Sequence, residues 1–208
     1  GHTYVHTLYA LGVRQFVVER PVADLNLLQG ANLVLVDSSV QALQKLAAFR
    51  RDHYSIPIIG ITGSNGKTII KEWLYQILSR DKVVVKNPGS YNSQVGVPLS
   101  ICQLQAYHQM GIFEAGISMP GEMEKLESVI QPTIGIFTNI GSSHSEGFTS
   151  QEEKIREKLE LFKRVEILVY CKDHTPLDKI ISQSKINNFS WGTNPLANVH
   201  VEFNGDSC

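Results

Sequence analysis

The sequence predicts an α/β fold: a mostly parallel sheet flanked by helices, built around a strand that runs into a glycine-rich loop. Three observations predict it. Strand-like and helix-like runs alternate along the 208 residues. The strand-like runs are short and unbroken in apolar character, as expected where helices cover both faces of a parallel sheet. The stretch Gly60–Thr68, GITGSNGKT, sets three glycines between an apolar run and a helical pattern.

The elements follow in order. The chain opens on a helix-like stretch, GHTYVHTLYALGV. Arg14–Val18 and Asn32–Val36, rich in Val and Leu, read as strands. Ser38 or Ser39 caps a helix with Val40, Leu43, Leu46 and Ala47 on one face. Ile56–Thr62 is a buried strand with Pro57 near its start, and a helix follows the glycine loop through about Leu78. Strand Val83–Lys86, the polar loop Asn87–Gln94 and a helix from about Val97 come next. Strand Gly111–Ala115 precedes Pro120-Gly121 and a helix through Ile130. Strand Thr133–Asn139 leads into the loop Ile140–Thr149. Ser150 with Glu153 forms a capping box for a helix through Phe162. Strand Glu166–Tyr170, a helix after Pro176, and strands Phe189–Trp191 and Val199–Phe203 complete the pattern. No repeat or low-complexity tract interrupts it.

Composition narrows the function. Hydrophobic residues make up 42% and charged residues 19%, ordinary for a soluble globular protein with a proper core. Nineteen basic against 20 acidic residues leave a net charge of −1, with no electrostatic reason to expect nucleic acid or an anionic membrane. No apolar run reaches membrane-spanning length and no secretory signal opens the chain. Cys102, Cys171 and Cys208 lie far apart and fit no metal spacing, which suits a reducing, cytoplasmic setting.

In parallel sheets, ligands bind at the carboxyl ends of strands, so the polar residues there carry the chemistry. The first group is the glycine loop. A strand ends, glycines curl the backbone, and N–H groups at the start of a helix face a phosphate. Lys67 reaches the outer phosphates and Thr68 offers a hydroxyl to Mg²⁺. The usual spacing asks for a glycine where Ile61 stands; the glycines are Gly60, Gly63 and Gly66. That shift argues against a GTPase or an ordinary kinase, not against phosphate binding. Glu114 is second: a carboxylate in an apolar strand is either a strand-end residue in solvent or a hard oxygen ligand for Mg²⁺. Third is TNIGSSHSEG, in which Asn139 ends a strand and His144 follows in the loop. A lone histidine is more often a surface or capping residue than a ligand. Lys158, in EKIREKLELF, reads by itself as part of a solvated helix face. The loop Lys86–Ser100, with Asn92 and Ser93, reads either as a plain connection or as a ligand contact.

Together these segments resemble the Mur ligase family, the ATP-dependent amide-forming enzymes of peptidoglycan assembly. The family's loop has the form G-x-T-G-[ST]-N-G-K-[ST], which Gly60–Thr68 spells. SYNSQVGVP, FEAG, TNIGxxH and a helix carrying a lysine follow in the family's order. SYNSQVGVPLS and EAGISMPGEMEKL are similar to the branch that joins D-alanyl-D-alanine to UDP-N-acetylmuramoyl tripeptide, above all to its form fused to an alanine racemase. Branches that add the third peptide residue, or glutamate to folate, share the loop. Many relatives carry Asn at the place of Ser93, an acidic residue at Gln94, and Pro-Ala-His-Leu where this chain has Ser142-Ser143-His144-Ser145.

The resemblance implies a division of the chain. Residues 1–54 are the latter part of a smaller α/β N-terminal domain that holds the UDP-sugar. Residues 55–208 are the phosphate-loop central domain that binds ATP, cut short at its C-terminus. The C-terminal ligase domain and any fused racemase lie outside this chain. The resemblance also implies roles. Gly63, Ser64, Asn65, Gly66 and Lys67 hold ATP phosphates, and Asn139 faces the nucleotide. Thr68 and Glu114 hold one Mg²⁺; His144 and a carbamylated Lys158 hold a second. Asn92 and Ser93 face the substrate. Lys67, His144 and Lys158 are expected to carry catalysis. A chain lacking the amine-binding domain is expected to bind Mg·ATP weakly and turn over little; on a second reading it is a nucleotide-binding module alone.

Overall fold

The computed structural model describes residues 2–141 and 147–202. Helix α1 (Val5–Ala10), strand β1 (Gln15–Val18) and strand β2 (Asn32–Leu35) form a first unit, in which β1 and β2 pair in parallel. Its core is Val5, Phe16, Val18 and Leu28. Only one face is covered: Val17, Val34 and Leu35 stay exposed. The expectation of strands covered on both faces therefore fails here, because two strands and one helix enclose one side only.

A seven-stranded, wholly parallel sheet follows, ordered β4-β5-β3-β6-β7-β8-β9. Its strands are β3 (Ile58–Thr62), β4 (Val84–Lys86), β5 (Met110–Glu114), β6 (Ile134–Phe137), β7 (Ile167–Cys171), β8 (Asn188–Gly192) and β9 (Val199–His200). The expected α/β architecture is what the chain adopts. Helix α3 (Lys67–Leu78) lies on one face over Ile59, Ile61 and Ile112. Helices α4 (Gly96–Ile101), α5 (Glu122–Ile130), α6 (Gln151–Leu159) and α7 (Thr175–Ser182) cover the other face, over Ile58, Phe113, Phe137 and Leu168. Phe189, Trp191 and Val199 on the outer strands remain exposed.

The Ser150 cap forms as expected: its hydroxyl accepts from Glu153 N at 3.1 Å. The return arm lands one residue earlier, with Glu153 accepting from both Thr149 N and Thr149 Oγ1. Ser38 caps α2 (Ser39–Asp52) through Gln41 N. The buried stripe of α2 differs from the expected one. Leu46 is 57% exposed, and the inner face is Gln44, Ala47 and Arg51. This helix packs on α4 and α5, and its inward polar groups find partners there. Gln44 donates to Gln94, and Arg50 donates to the Leu104 carbonyl. Arg51 donates to the carbonyls of Ile130, Tyr54 and Gln131. A buried guanidinium serving three carbonyls replaces the apolar contact that periodicity suggested.

Replacing Arg51 with Met leaves those carbonyls short of a donor. The expected cost is about 2–3 kcal/mol, read as a lower urea midpoint with an unchanged slope.

Candidate active site

Strand β3 sits between β5 and β6, so three strand exits emerge side by side at the carboxyl edge. The chain leaves β3 towards one side of the sheet and crosses to the other after β5, the kind of switch point at which parallel sheets open a crevice.

The loop after β3 is held by the exit of β6. Gly63 has φ +145°, and a Cβ there would lie 2.0 Å from Thr138 Oγ1; only glycine fits. Ser64 N donates to Asn139 O at 2.8 Å, and Asn65 N donates to Asn139 Oδ1 at 3.0 Å. Thr138 Oγ1 donates to Asn65 O at 2.6 Å, and Gly141 N to Ser64 Oγ at 2.9 Å. Two loop N–H groups thus brace the loop instead of facing a ligand. The donors left for an anion are those of the first turn of α3, whose N–H groups have no partner within the helix. Gly66 introduces that turn at φ +79°.

Three lysines converge on the loop. Lys67 Nζ donates to Gly63 O at 3.0 Å and Ser64 O at 3.3 Å. Burial lowers its pKa; Glu114 pushes it back up and Lys154 down. Lys158 Nζ donates to the same Gly63 carbonyl at 3.2 Å. It is 4% exposed, so the solvated-face reading of this lysine is wrong. Its pKa falls to about 7, through burial first and then the charges of Lys67 and Lys154. Lys154, one helical turn before Lys158, is also buried. Ile155 and Leu159 mark the inner face of α6, and each lysine directly precedes one of them. A helical-wheel reading would have found both. The three lysines line a cavity of about 250 Å³ with Gly63–Asn65, Gly116, Ile117 and Gly141. Such a space suits a polyanion.

Glu114, at the end of β5, is fully buried, which removes the solvent-exposed alternative. Asn92 Nδ2 donates to its Oε1 at 3.1 Å. Among the described residues its Oε2 accepts no hydrogen bond, and Lys71 Nζ lies 3.8 Å from it. An unsatisfied buried carboxylate oxygen fits a hard cation. No three His, Cys, Asp or Glu side chains gather among the described residues. A divalent ion here would therefore draw further oxygens from its ligand and from Thr68, as magnesium does with phosphates.

Besides Lys154, sequence reasoning missed two groups. Asn87, fully buried, accepts from Glu114 N and donates to Glu114 O and Tyr91 O. Lys71, one turn after Lys67 on α3, is the buried neighbour of Glu114; its spacing was the available signal. The structure brings together Gly63, Ser64, Asn65, Lys67, Asn139 and Lys158, with Gly66 and Thr68 next to them in the chain and Glu114 and Asn92 one strand away. Ser93 is exposed, and its hydroxyl accepts from Gly96 N at the start of α4. His144 lies outside the described residues.

Comparison with known proteins agrees with this fold. The Mur ligase middle domain family matches residues 61–207. The UDP-N-acetylmuramoyl-tripeptide–D-alanyl-D-alanine ligase of Borreliella burgdorferi is 37% identical over 175 residues, covering 81% of this chain and 38% of that protein. The MurF ligase of Thermotoga maritima in complex with ADP superposes with a TM-score of 0.82 at 30% identity, over 93% of this chain and 44% of that one. A crystal structure of MurF from Acinetobacter baumannii gives 0.83 at 28%, over 93% and 42%. The chain spans less than half the length of the curated relatives it matches.

Gly63→Ala is expected to fail where Gly66→Ala survives. The first sets a methyl group into Thr138; the second has open space and meets only its left-handed backbone, at a cost of about 1 kcal/mol. Melting temperatures of the two variants read the difference. Lys158 gives a pH signature. Its folded pKa of about 7 lies below its ordinary 10.5, so folding releases a proton between those values and stability rises with pH across that window. Melting curves in carbon-dioxide-free buffer should show the rise, and Lys158→Met should flatten it.

Proposed function

The chain belongs to the Mur ligase family, and on that premise we propose that its protein is an ATP-dependent ligase joining D-alanyl-D-alanine to UDP-N-acetylmuramoyl tripeptide. The observation that carries the proposal is the convergence of Lys67, Lys154 and Lys158 on a 250 Å³ cavity at the glycine loop, beside the unsatisfied oxygen of Glu114. The substrate choice draws on the relatives, whose names give this activity.

In this reading, a carboxylate oxygen of the tripeptide attacks the γ-phosphorus of ATP, and ADP departs. The amine of D-alanyl-D-alanine attacks the acyl carbon, the amide forms, and inorganic phosphate leaves. Phosphoryl transfer asks for positioning and charge neutralisation more than covalent help. Lys67 moves from its loop carbonyls to the phosphate oxygens, and the first turn of α3 holds the others. Lys154 adds charge from α6. Thr68 and Glu114 would hold one Mg²⁺, which supplies neutralising charge to the phosphates. His144 and Lys158 would hold a second. For that role Lys158 reacts with carbon dioxide: its neutral amine adds to the carbon, a proton departs, and the cation becomes an anion. A pKa of about 7 leaves much of that amine neutral at physiological pH. Asn139 faces the nucleotide while bracing the loop, and Asn92 and Ser93 lie on the substrate side. Residues 1–54 belong to the UDP-sugar domain and residues 55–208 to the ATP-binding domain. No helix among the described residues is long and apolar enough to cross a membrane.

Phosphate release by the full-length protein tests the reading. It should require Mg·ATP, UDP-muramoyl tripeptide and D-alanyl-D-alanine together, and diaminopimelate or lysine should not replace the dipeptide. Lys67→Ala should lower turnover roughly 100-fold. Release driven by a different amine would remove the substrate assignment; none with any pair would remove the ligase.

A further inference from the structure

Lys71 has no part in the chemistry described above, yet among the described residues it is the largest fully buried cation. A buried ammonium is costly unless its hydrogens and its charge are both answered. Its hydrogens go to the backbone: Nζ donates to Asn87 O at 2.9 Å and to Gly89 O. Its charge faces two carboxylates. Glu72 Oε1 is 3.5 Å away, but Glu72 is partly exposed and already bound to Lys86 at 2.5 Å. Glu114 Oε2, at 3.8 Å, is as deeply buried as Lys71 itself. The pair is close enough to neutralise and too long to form a hydrogen bond. Lys71 therefore balances the Glu114 charge without using the lone pairs of Oε2.

We propose that Lys71 is a positioning residue of the metal site, a resident counter-charge that keeps the Glu114 carboxylate buried and aimed while leaving Oε2 free to bind the divalent ion that arrives with the nucleotide. The inference rests on the reading of Glu114 as a magnesium ligand. Lys71 also ties α3, which starts at the phosphate loop, to the Asn87–Asn92 segment that orients Glu114 through Asn87 and Asn92. One side chain thus couples the phosphate end of the site to its carboxylate end.

Calorimetric titration of the 208-residue chain with ADP, with and without Mg²⁺, tests this. Lys71→Gln keeps amide donors for the two carbonyls and drops the charge. Its ADP affinity should fall less without Mg²⁺ than with it, so that the gain from Mg²⁺ shrinks about 10- to 100-fold. An undiminished gain in that variant overturns the inference and leaves the ligase reading intact. If the wild type gains nothing from Mg²⁺, the reading of Glu114 falls and the inference with it. Stability supplies a second test should Lys71→Gln fail to fold. Lys71→Met strands a buried carboxylate, so adding Glu114→Gln should raise the melting temperature above that of Lys71→Met alone. A double variant no more stable than the single one shows that no charge pair exists, and ends the proposal.

Discussion

Two lysine side chains share one acceptor. The Gly63 carbonyl receives both Lys67 and Lys158, with Lys154 close enough to depress the pKa of each. Nothing in the folding of an isolated chain favours like charges gathered in a low-dielectric space. The arrangement holds because the stable part of the molecule, the parallel stack β5-β3-β6 with its helices, forces it. Burial and crowding answer each other in protonation: the Lys158 amine gives up its proton near pH 7, and the apolar core beneath offsets what the crowding costs.

The loop is rigid on one side and open on the other. Thr138, Asn139 and Gly141 satisfy its outer hydrogen-bonding groups, and the glycine at position 63 makes that approach possible. The inner side carries the donors and the three lysines. That side is preformed, with Lys67 and Lys158 both resting on the Gly63 carbonyl.

Much of this was legible in the letters, for identifiable reasons. Unbroken apolar runs set the strands, and the glycine spacing set the loop. Glu114 was visible because a charge inside FEAG has to be answered. What escaped notice was polar burial on helices. Gln44, Arg51, Lys71, Lys154 and Lys158 all face inward, and period-3.6 reasoning that counts only apolar residues assigns them to solvent. Leu46 was placed inside for the same reason. Gln44, Arg51, Lys71 and Lys158 turn inward where a specific carbonyl or carboxylate waits, and most of those partners lie far off in sequence, 16 residues away for Asn87 O on Lys71 and 95 for Gly63 O on Lys158. Only the folded chain brings them within reach.

The inner stripe of α2 has a practical consequence. Gln44, Arg50 and Arg51 donate into the loops at Gln94, Leu104 and Ile130, and Asp52 accepts from Gln131. A sequence boundary drawn near residue 54 passes behind all four. An expression clone of the nucleotide-binding half begun there would strip its own scaffold of those partners. One begun at the Ser38 cap would carry α2 along and keep the joint closed.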